Sequence, residues 1–276
     1  MLNAYMDTMN VNNKLLIWSK DRACQLHLLL EGIERHLPNL FDISVLYTES
    51  SMAFDRGYKM LRERFIDVEW IRERNFHDDT MGIIEESDLH NICLSTDDTV
   101  IYRTPPAPPI NYVGIGEVFS YRLGLNTILQ NPHDGTEQPP LVNPFMRQGI
   151  LSWSAMCYGP TMNYGYPFGL DMHAYNREQF LSLITLFDWN NTSELEGNLF
   201  RYRYDCPNMY AFEHSVAFNV PLNKLSNTIY NGEKTRTTMS DLNDKYLNGQ
   251  RIDLDKIEQL DVIGCHQFID LEFIDG

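Results

Sequence analysis

Two adjacent carboxylates, Asp97 and Asp98, sit in the segment CLSTDDTVIYR, directly after an apolar run with strand character. Neighbouring carboxylates repel each other, and burying either without a partner is costly. A hard divalent cation, Mn2+ or Mg2+, removes that cost and can at the same time hold a diphosphate. A solvated acidic turn would show the same letters. Further along, Ser193-Glu194-Leu195-Glu196 brings two more carboxylates together. Its spacing fits a capping box in which Glu196 ties down a helix start. Glu196 can equally act as a general base, taking the proton of an attacking hydroxyl.

Other residues have chemistry open to them. Arg22 follows the first apolar run, where a guanidinium can fork onto phosphate or stack on a base, or simply be solvated in a first helical turn. Arg122, in FSYRLG, is a further basic candidate that could equally form a structural ion pair. His266, in GCHQF, has a side chain suited to metal ligation when neutral, although a lone histidine is more often a structural hydrogen-bonding residue. Asp171 and His173, in GLDMHAY, would share one face of a strand, where they could meet a sugar or merely alternate as exposed polar groups. The stretch WSAMCYGPTMNYGYPFG (153–169) concentrates Trp153, Tyr158, Tyr164, Tyr166 and Phe168 among glycine and proline. Such rings either offer flat faces to sugar C–H groups or pack a small satellite core.

The elements that must position these residues alternate in type. Strand patterns over 14–19, 42–50, 68–74 and 91–103 are separated by helical patterns over 21–37, 54–65 and 80–87. Alternation of this kind implies parallel crossovers and a doubly wound sheet, which binds ligands beyond the carboxyl ends of its strands. Ser19, Thr48 and Asp97 lie near such ends and should line one edge. After a Pro-rich loop at 104–110, a strand and short helix are expected over 116–129, then a long irregular stretch over 130–168. A strand over 172–176, helices over 177–187 and from about Ser193, and a late strand and turn over 216–225 complete the reading. The pattern is read as one domain, with a nucleotide-binding half at 1–103 and an acceptor-binding half at 104–276.

With 276 residues and a formal charge of -16, the chain is large enough for a full core and too acidic to favour nucleic acid or anionic lipid. Phosphate groups would have to be handled locally. Five cysteines without a C-x-x-C pair favour a reducing compartment. The first apolar run is far too short to span a bilayer, and no basic-then-apolar leader is seen, so a cytoplasmic protein without a transmembrane segment is expected.

Three segments resemble the GT-A nucleotide-sugar glycosyltransferases, in particular the group called family two. LLIWSKDRACQLHLLLEGI is similar to that family's strand, polar turn with Arg and amphipathic helix. CLSTDDTVIYR is similar to its strand-embedded DxD-type motif, and YPFGLDMHAYNREQFLSLITLFDWNNTSELEGNL to its strand and helix followed by an acidic loop. The resemblance implies a GT-A-like α/β fold with long acceptor-side loops and a UDP-sugar donor held through Mn2+ or Mg2+. It further implies sugar transfer to a glycan or other hydroxyl acceptor. By position it places Asp97 on the ribose or metal, Asp98 on the metal and His266 as a late metal ligand. Arg22 and Arg122 fall near the donor, Asp171 on the donor sugar or acceptor, and Glu196 or Glu194 as the base of an inverting reaction. The motif here is T-D-D rather than D-x-D, the acidic loop reads E-L-E, and the Q-x-x-R-W signature of membrane-bound polymer synthases is not found. Two rivals remain: a sugar nucleotidyltransferase, against which stands the lack of a G-x-x-x-x-G-K loop, and a non-catalytic glycan- or nucleotide-binding protein on a transferase scaffold.

Overall fold

The computed structural model describes residues 11–107, 111–132, 134–221 and 237–276. β1 (Asn13–Lys20) is buried along seven of its eight residues, which marks it as a central strand. Leu15 and Ile17 face one core while Leu16 and Trp18 face another, so both faces of the sheet are covered. Asp21, with φ 58°, turns the chain into α1 (Ala23–His36). β2 (Phe41–Thr48) and α2 (Met52–Arg64, capped by the Ser51 hydroxyl) follow, then β3 (Glu69–Arg72). α3 (Phe76–Glu86) starts four residues earlier than the sequence pattern suggests, because Asn75 caps it through Asp78 N at 3.0 Å.

The apolar run expected as one strand over 91–103 is two. β4 (Asn91–Thr96) stays in the main sheet and β5 (Thr99–Ile101) leaves it, the chain turning at Asp97 and Asp98. β6 (Glu117–Ser120) forms as expected, but no helix follows it. There the backbone is pinned instead: Leu125 N donates to Glu213 O at 2.8 Å, and a Cβ on Gly124 would lie 2.4 Å from Ser215 N. The stretch expected to be irregular contains β7 (Leu129–Asn131), β8 (Thr136–Glu137), β9 (Phe145–Arg147) and β10 (Ile150–Ser154), then two short 3-10 turns.

β11 (His173–Asn176) leads directly into α4 (Arg177–Ile184), and α5 (Thr192–Leu199) continues into a 3-10 segment, Phe200–Asp205. β12 (Asn208–Phe212) and β13 (Ala217–Asn219) precede α6 (Met239–Leu247), β14 (Gln250–Ile252), α7 (Leu254–Ile257) and β15 (Phe273–Asp275). The expected strand over 216–225 is thus β13; the turn after it, like the end of the Pro-rich loop, lies outside the described residues.

The main sheet has the order β3-β2-β1-β4-β11-β6-β12-β10-β9. Its first four strands are parallel, whereas β11 runs antiparallel to both β4 and β6. α1, α2 and α6 cover one face and α3, α4 and α5 the other. The expected doubly wound, mixed α/β sheet flanked by helices is therefore present. Among the described residues no helix is long and apolar enough to cross a membrane.

Candidate active site

The strand order reverses between β1 and β4: the chain builds β1, β2 and β3 outward, then returns to lay β4 on the other side of β1. Crevices form where neighbouring crossovers diverge in this way. In register, Trp18 lies opposite Thr96, which puts Ser19 and Lys20 beside Asp97. Because β11 is antiparallel to β4, its start, not its end, arrives at the same edge; β6 brings its own end there, with His173 opposite Ser120. Four strand termini thus deliver Ser19, Asp97, Asp98, Asp171 and Arg122 to one place.

The inner part of the site is closed. Asp97, 2% exposed, receives hydrogen bonds from Ser19 Oγ at 2.9 Å, Lys20 N at 3.1 Å and Arg22 Nη1 at 3.0 Å. Burial pushes its carboxyl up to about 6, although Arg22 works against the shift. Arg22 is itself buried, which disfavours its charge, yet Asp97 and Asp98 outweigh that cost and raise its pKa. Tyr58 completes the knot, its hydroxyl 2.7 Å from Ser19 Oγ and accepting from Arg22 N at 3.2 Å. Arg22, open from the sequence to a phosphate or base or to solvent, turns its guanidinium inward, onto Asp97 and, at 3.6 Å, Asp98.

The outer part is more open. Thr96 Oγ1 lies 2.7 Å from Asp98 Oδ1 and also contacts Asp171 Oδ1. One hydroxyl has one proton, so it can satisfy only one of these carboxylates as a donor. Arg122, 6% exposed, faces Asp171 Oδ2 at 3.3 Å and donates to Asn219 Oδ1 at 2.8 Å. Asn219 Nδ2 in turn donates to Asp98 Oδ1 at 2.9 Å and Thr99 Oγ1 at 3.1 Å. His266 Nε2 is 3.4 Å from Arg122 Nη1. Burial alone would push Asp171 up, but Arg122, His266 and Thr96 together hold it below the usual carboxylate range.

Glu196 comes to this group from α5. Burial, then the charge of Asp171, push its carboxyl up to about 7, against the pull of Arg122 and a hydrogen bond from the Leu170 backbone. It does not cap its helix. Asn191 does, accepting from Glu194 N at 2.9 Å, so the helix begins two residues before the capping box suggested by the sequence. Glu194 is exposed and accepts from Asn190 N at 2.8 Å, away from the cluster. Tyr166 lies beside the cluster: burial and the charges of Glu196 and Asp171 raise its hydroxyl pKa.

Several expectations shift in detail. Thr48 ends β2 half-buried, its carbonyl accepting from Asp21 N at 3.2 Å, and shares the sheet edge without joining the carboxylates. Asp171 precedes β11 and is followed by Met172 at φ 48°, so it does not alternate with His173 along a strand. His173 is 3% exposed and bonded through Nδ1 to Pro167 O at 3.2 Å; burial, aided by Arg122, lowers its pKa to about 3. Of the aromatic stretch, Trp153, Tyr164 and Phe168 are buried in the core, and Tyr166 is the ring that reaches the site. Sequence reasoning missed Tyr58, Thr96 and Asn219. Thr96 adjoins the acidic pair and was within reach of inspection, whereas nothing in the sequence singles out Tyr58 or Asn219.

The cluster accommodates a divalent cation only in part. Among the described residues no three His, Cys, Asp or Glu side chains are placed to hold a metal ion on their own. Asp97 has its oxygens engaged by Arg22, Ser19 and Lys20. Asp98 is the more open of the pair, though Thr96, Asn219 and Arg22 already contact it, and His266 lies against Arg122; the surplus carboxylate charge around Thr96 is what a cation would neutralise. Mg2+ or Mn2+ can be held by few protein ligands when phosphate oxygens and water complete the shell.

The chain is 32% identical over 99 residues to the bifunctional glycosyltransferase pgtA of Dictyostelium discoideum. Part of this chain is similar to a glycosyltransferase. That match takes in 33% of this chain and 13% of the relative, and it bears out the resemblance read from the sequence. No protein-family model matches the chain. Among solved structures, S. aureus TarS 1-349 overlaps with a TM-score of 0.46 at 8% identity, covering 75% of this chain and 60% of TarS 1-349. The same TarS fragment in complex with UDP-GlcNAc gives 0.46 at 9% identity, over 83% of this chain and 60% of that one. The WbbM bifunctional glycosyltransferase gives 0.39 at 14%, over 71% of this chain and 38% of WbbM. In each case this chain spans less than two thirds of the protein it matches.

Proposed function

We propose that the chain is a metal-dependent glycosyltransferase, moving a sugar from a nucleoside diphosphate donor, UDP-linked, onto the hydroxyl of a glycan or other acceptor with inversion. The observation that carries this reading is the meeting of Asp98, Asp171, Arg122 and Glu196 at the switch point of the sheet, with Glu196 held at about 7. A base of that pKa is ionised in a useful fraction at neutral pH and still takes up a proton readily. The similarity to pgtA supports the same class of reaction.

Each residue then has a task. Asp98, with His266, would hold the cation, which would neutralise the charge that grows on a departing diphosphate. Asp97 positions rather than ligates: locked between Arg22 and Ser19, it fixes the turn that presents Asp98. Arg122 keeps Asp171 ionised, and Asp171 accepts from donor-sugar or acceptor hydroxyls. Glu196 removes the proton of the attacking acceptor hydroxyl. Attack by that hydroxyl directly on the anomeric carbon, with Glu196 as base, inverts the centre.

The test is release of nucleoside diphosphate from a panel of nucleotide sugars, with and without Mn2+, by the wild type and Glu196→Gln. The reading expects Mn2+-dependent release from one donor and a loss of two or more orders of magnitude in the variant. Equal release by both proteins, or none from any donor, contradicts it.

A further inference from the structure

Beyond the carboxylates, the helix that carries Glu196 runs on into a segment of unusual composition for so acidic a protein. Phe200–Asp205 reads FRYRYD, alternating rings with arginines, in a chain with 38 Asp and Glu against 22 Lys and Arg. The segment kinks at Tyr202 (φ -99°, ψ 17°), which folds its second half back toward its first. Accordingly the Arg203 guanidinium lies over the Phe200 ring at 5.8 Å, and over the adjacent Tyr204 ring at 4.7 Å. Phe200 stacks on Tyr166, centroids 5.3 Å apart at 22°. Since Tyr166 senses the charges of Glu196, Arg122 and Asp171, this row of rings starts at the carboxylates and leads out to Tyr204, which is 67% exposed.

No salt bridge among the described residues involves Arg201 or Arg203. Arg203 Nη2 donates to Tyr204 OH at 2.8 Å, while Nη1 is shielded from solvent with no hydrogen-bond partner. A guanidinium packed against aromatic faces, beside the exposed Arg201, is matched to a planar or tetrahedral oxyanion. The exposed Tyr204 ring next to it suits the C–H surface of a pyranose. Two arginines are too few to hold a polyanion against a net charge of -16, which points to one or two charges on a saccharide rather than to nucleic acid.

We infer that Tyr166, Phe200, Arg203 and Tyr204, with Arg201 beside them, form an acceptor subsite for a glycan that carries an anionic group within one or two sugars of the reacting hydroxyl. This rests on the glycosyltransferase reading and names the acceptor class for it. The source of the charge, a uronic-acid carboxylate or a sugar phosphate, is left to the experiment's arms.

Binding is measured by calorimetry at low ionic strength, where surface charge acts most strongly. The probes are hyaluronan tetrasaccharide against neutral chitotetraose, and maltotetraose 6-phosphate against maltotetraose. At least one anionic probe should bind tenfold or more tightly than its neutral partner, and that one identifies the source. The preference should collapse in Arg201→Gln/Arg203→Gln. Independently of any variant, the wild type's affinity for the preferred probe should fall several-fold between 50 and 500 mM NaCl, a range of about 14 to 4 Å in screening length. Equal affinities within both pairs, no binding by either anionic probe, or a salt-independent preference overturns the proposal. A wild-type thermal shift with Mn2+ and nucleotide sugars, run alongside, separates the two readings. Its absence would count against the transferase itself, whereas a donor shift without anionic preference would sink only the acceptor assignment.

Discussion

Arg122 Nη1 stands 3.3 Å from Asp171 Oδ2, a nearly enclosed cation facing a carboxylate that opens to the site. The guanidinium feels Asp171, Glu196 and Asp98 together, each of which favours its charged state. Replacing it with methionine keeps the volume but leaves those carboxylates without their common counter-charge. Arg122→Met should therefore lose about 3–5 kcal/mol in urea unfolding at pH 7, the range seen when one partner of a buried pair is removed. A loss under about 1 kcal/mol would show that the pair is not the organising contact.

A second pair underpins the turn that presents Asp98. Arg22→Met and Asp97→Asn should each destabilise, and the double variant should lose less than their sum, by about 0.5–3 kcal/mol of coupling. Additive losses in a double-mutant cycle would mean that the two side chains act separately.

Glu196 ties pH to both activity and stability. Its carboxyl is raised from 4.5 to about 7, so transfer should climb as pH rises through about 7 and fade below it. For stability the sign is opposite. A raised carboxyl holds its proton more tightly folded than unfolded, so ionisation weakens the fold as pH rises from 4.5 to about 7. Glu196→Gln should match wild-type melting at pH 4 and exceed it at pH 8, while transfer falls by about 10²–10⁴. A Tm difference that does not grow with pH would remove the burial argument.

Two glycines make a control on packing. A Cβ on Gly32 in α1 would lie 2.6 Å from the Ile101 carbonyl oxygen at the end of β5, whereas one on Gly82 in α3 meets nothing within 4 Å. Gly32→Ala should cost about 1–3 kcal/mol, and Gly82→Ala should gain about 0.5–1 kcal/mol from helix propensity. Melting curves that rank them the other way would contradict the packing of α1 on β5.

The first hundred residues were legible because local pattern and tertiary role coincide there. Strands buried on both faces read as apolar runs such as KLLIW, and the helices between them keep their period. Legibility fails where long-range contacts decide. Gly124 avoids a helix because residues 213–215 press on it, and β10 forms against β12, far along the chain, with β9 then pairing on β10. In the candidate site, the acidic pair was visible as letters, but its asymmetry was not. Whether Asp97 or Asp98 faces outward depends on Arg22, Ser19 and Tyr58 closing around one of them. The capping-box spacing at Ser193 misled because Asn191, two residues earlier, is the better placed cap. Asn219, which ties Arg122 to Asp98, carries no sequence signal because its role comes from pairing with β5.

The central claim is that Asp98 and its neighbours hold a divalent cation against the diphosphate of a sugar nucleotide. Differential scanning of the wild type and Asp98→Asn, with Mn2+ and UDP-sugars added separately and together, tests it most directly. Wild-type stabilisation should be larger with both than with either alone, which at 100-fold over Kd amounts to about 2.7 kcal/mol, and should be lost in Asp98→Asn. Stabilisation by the nucleotide sugar that ignores Mn2+, or that survives in Asp98→Asn, would contradict it.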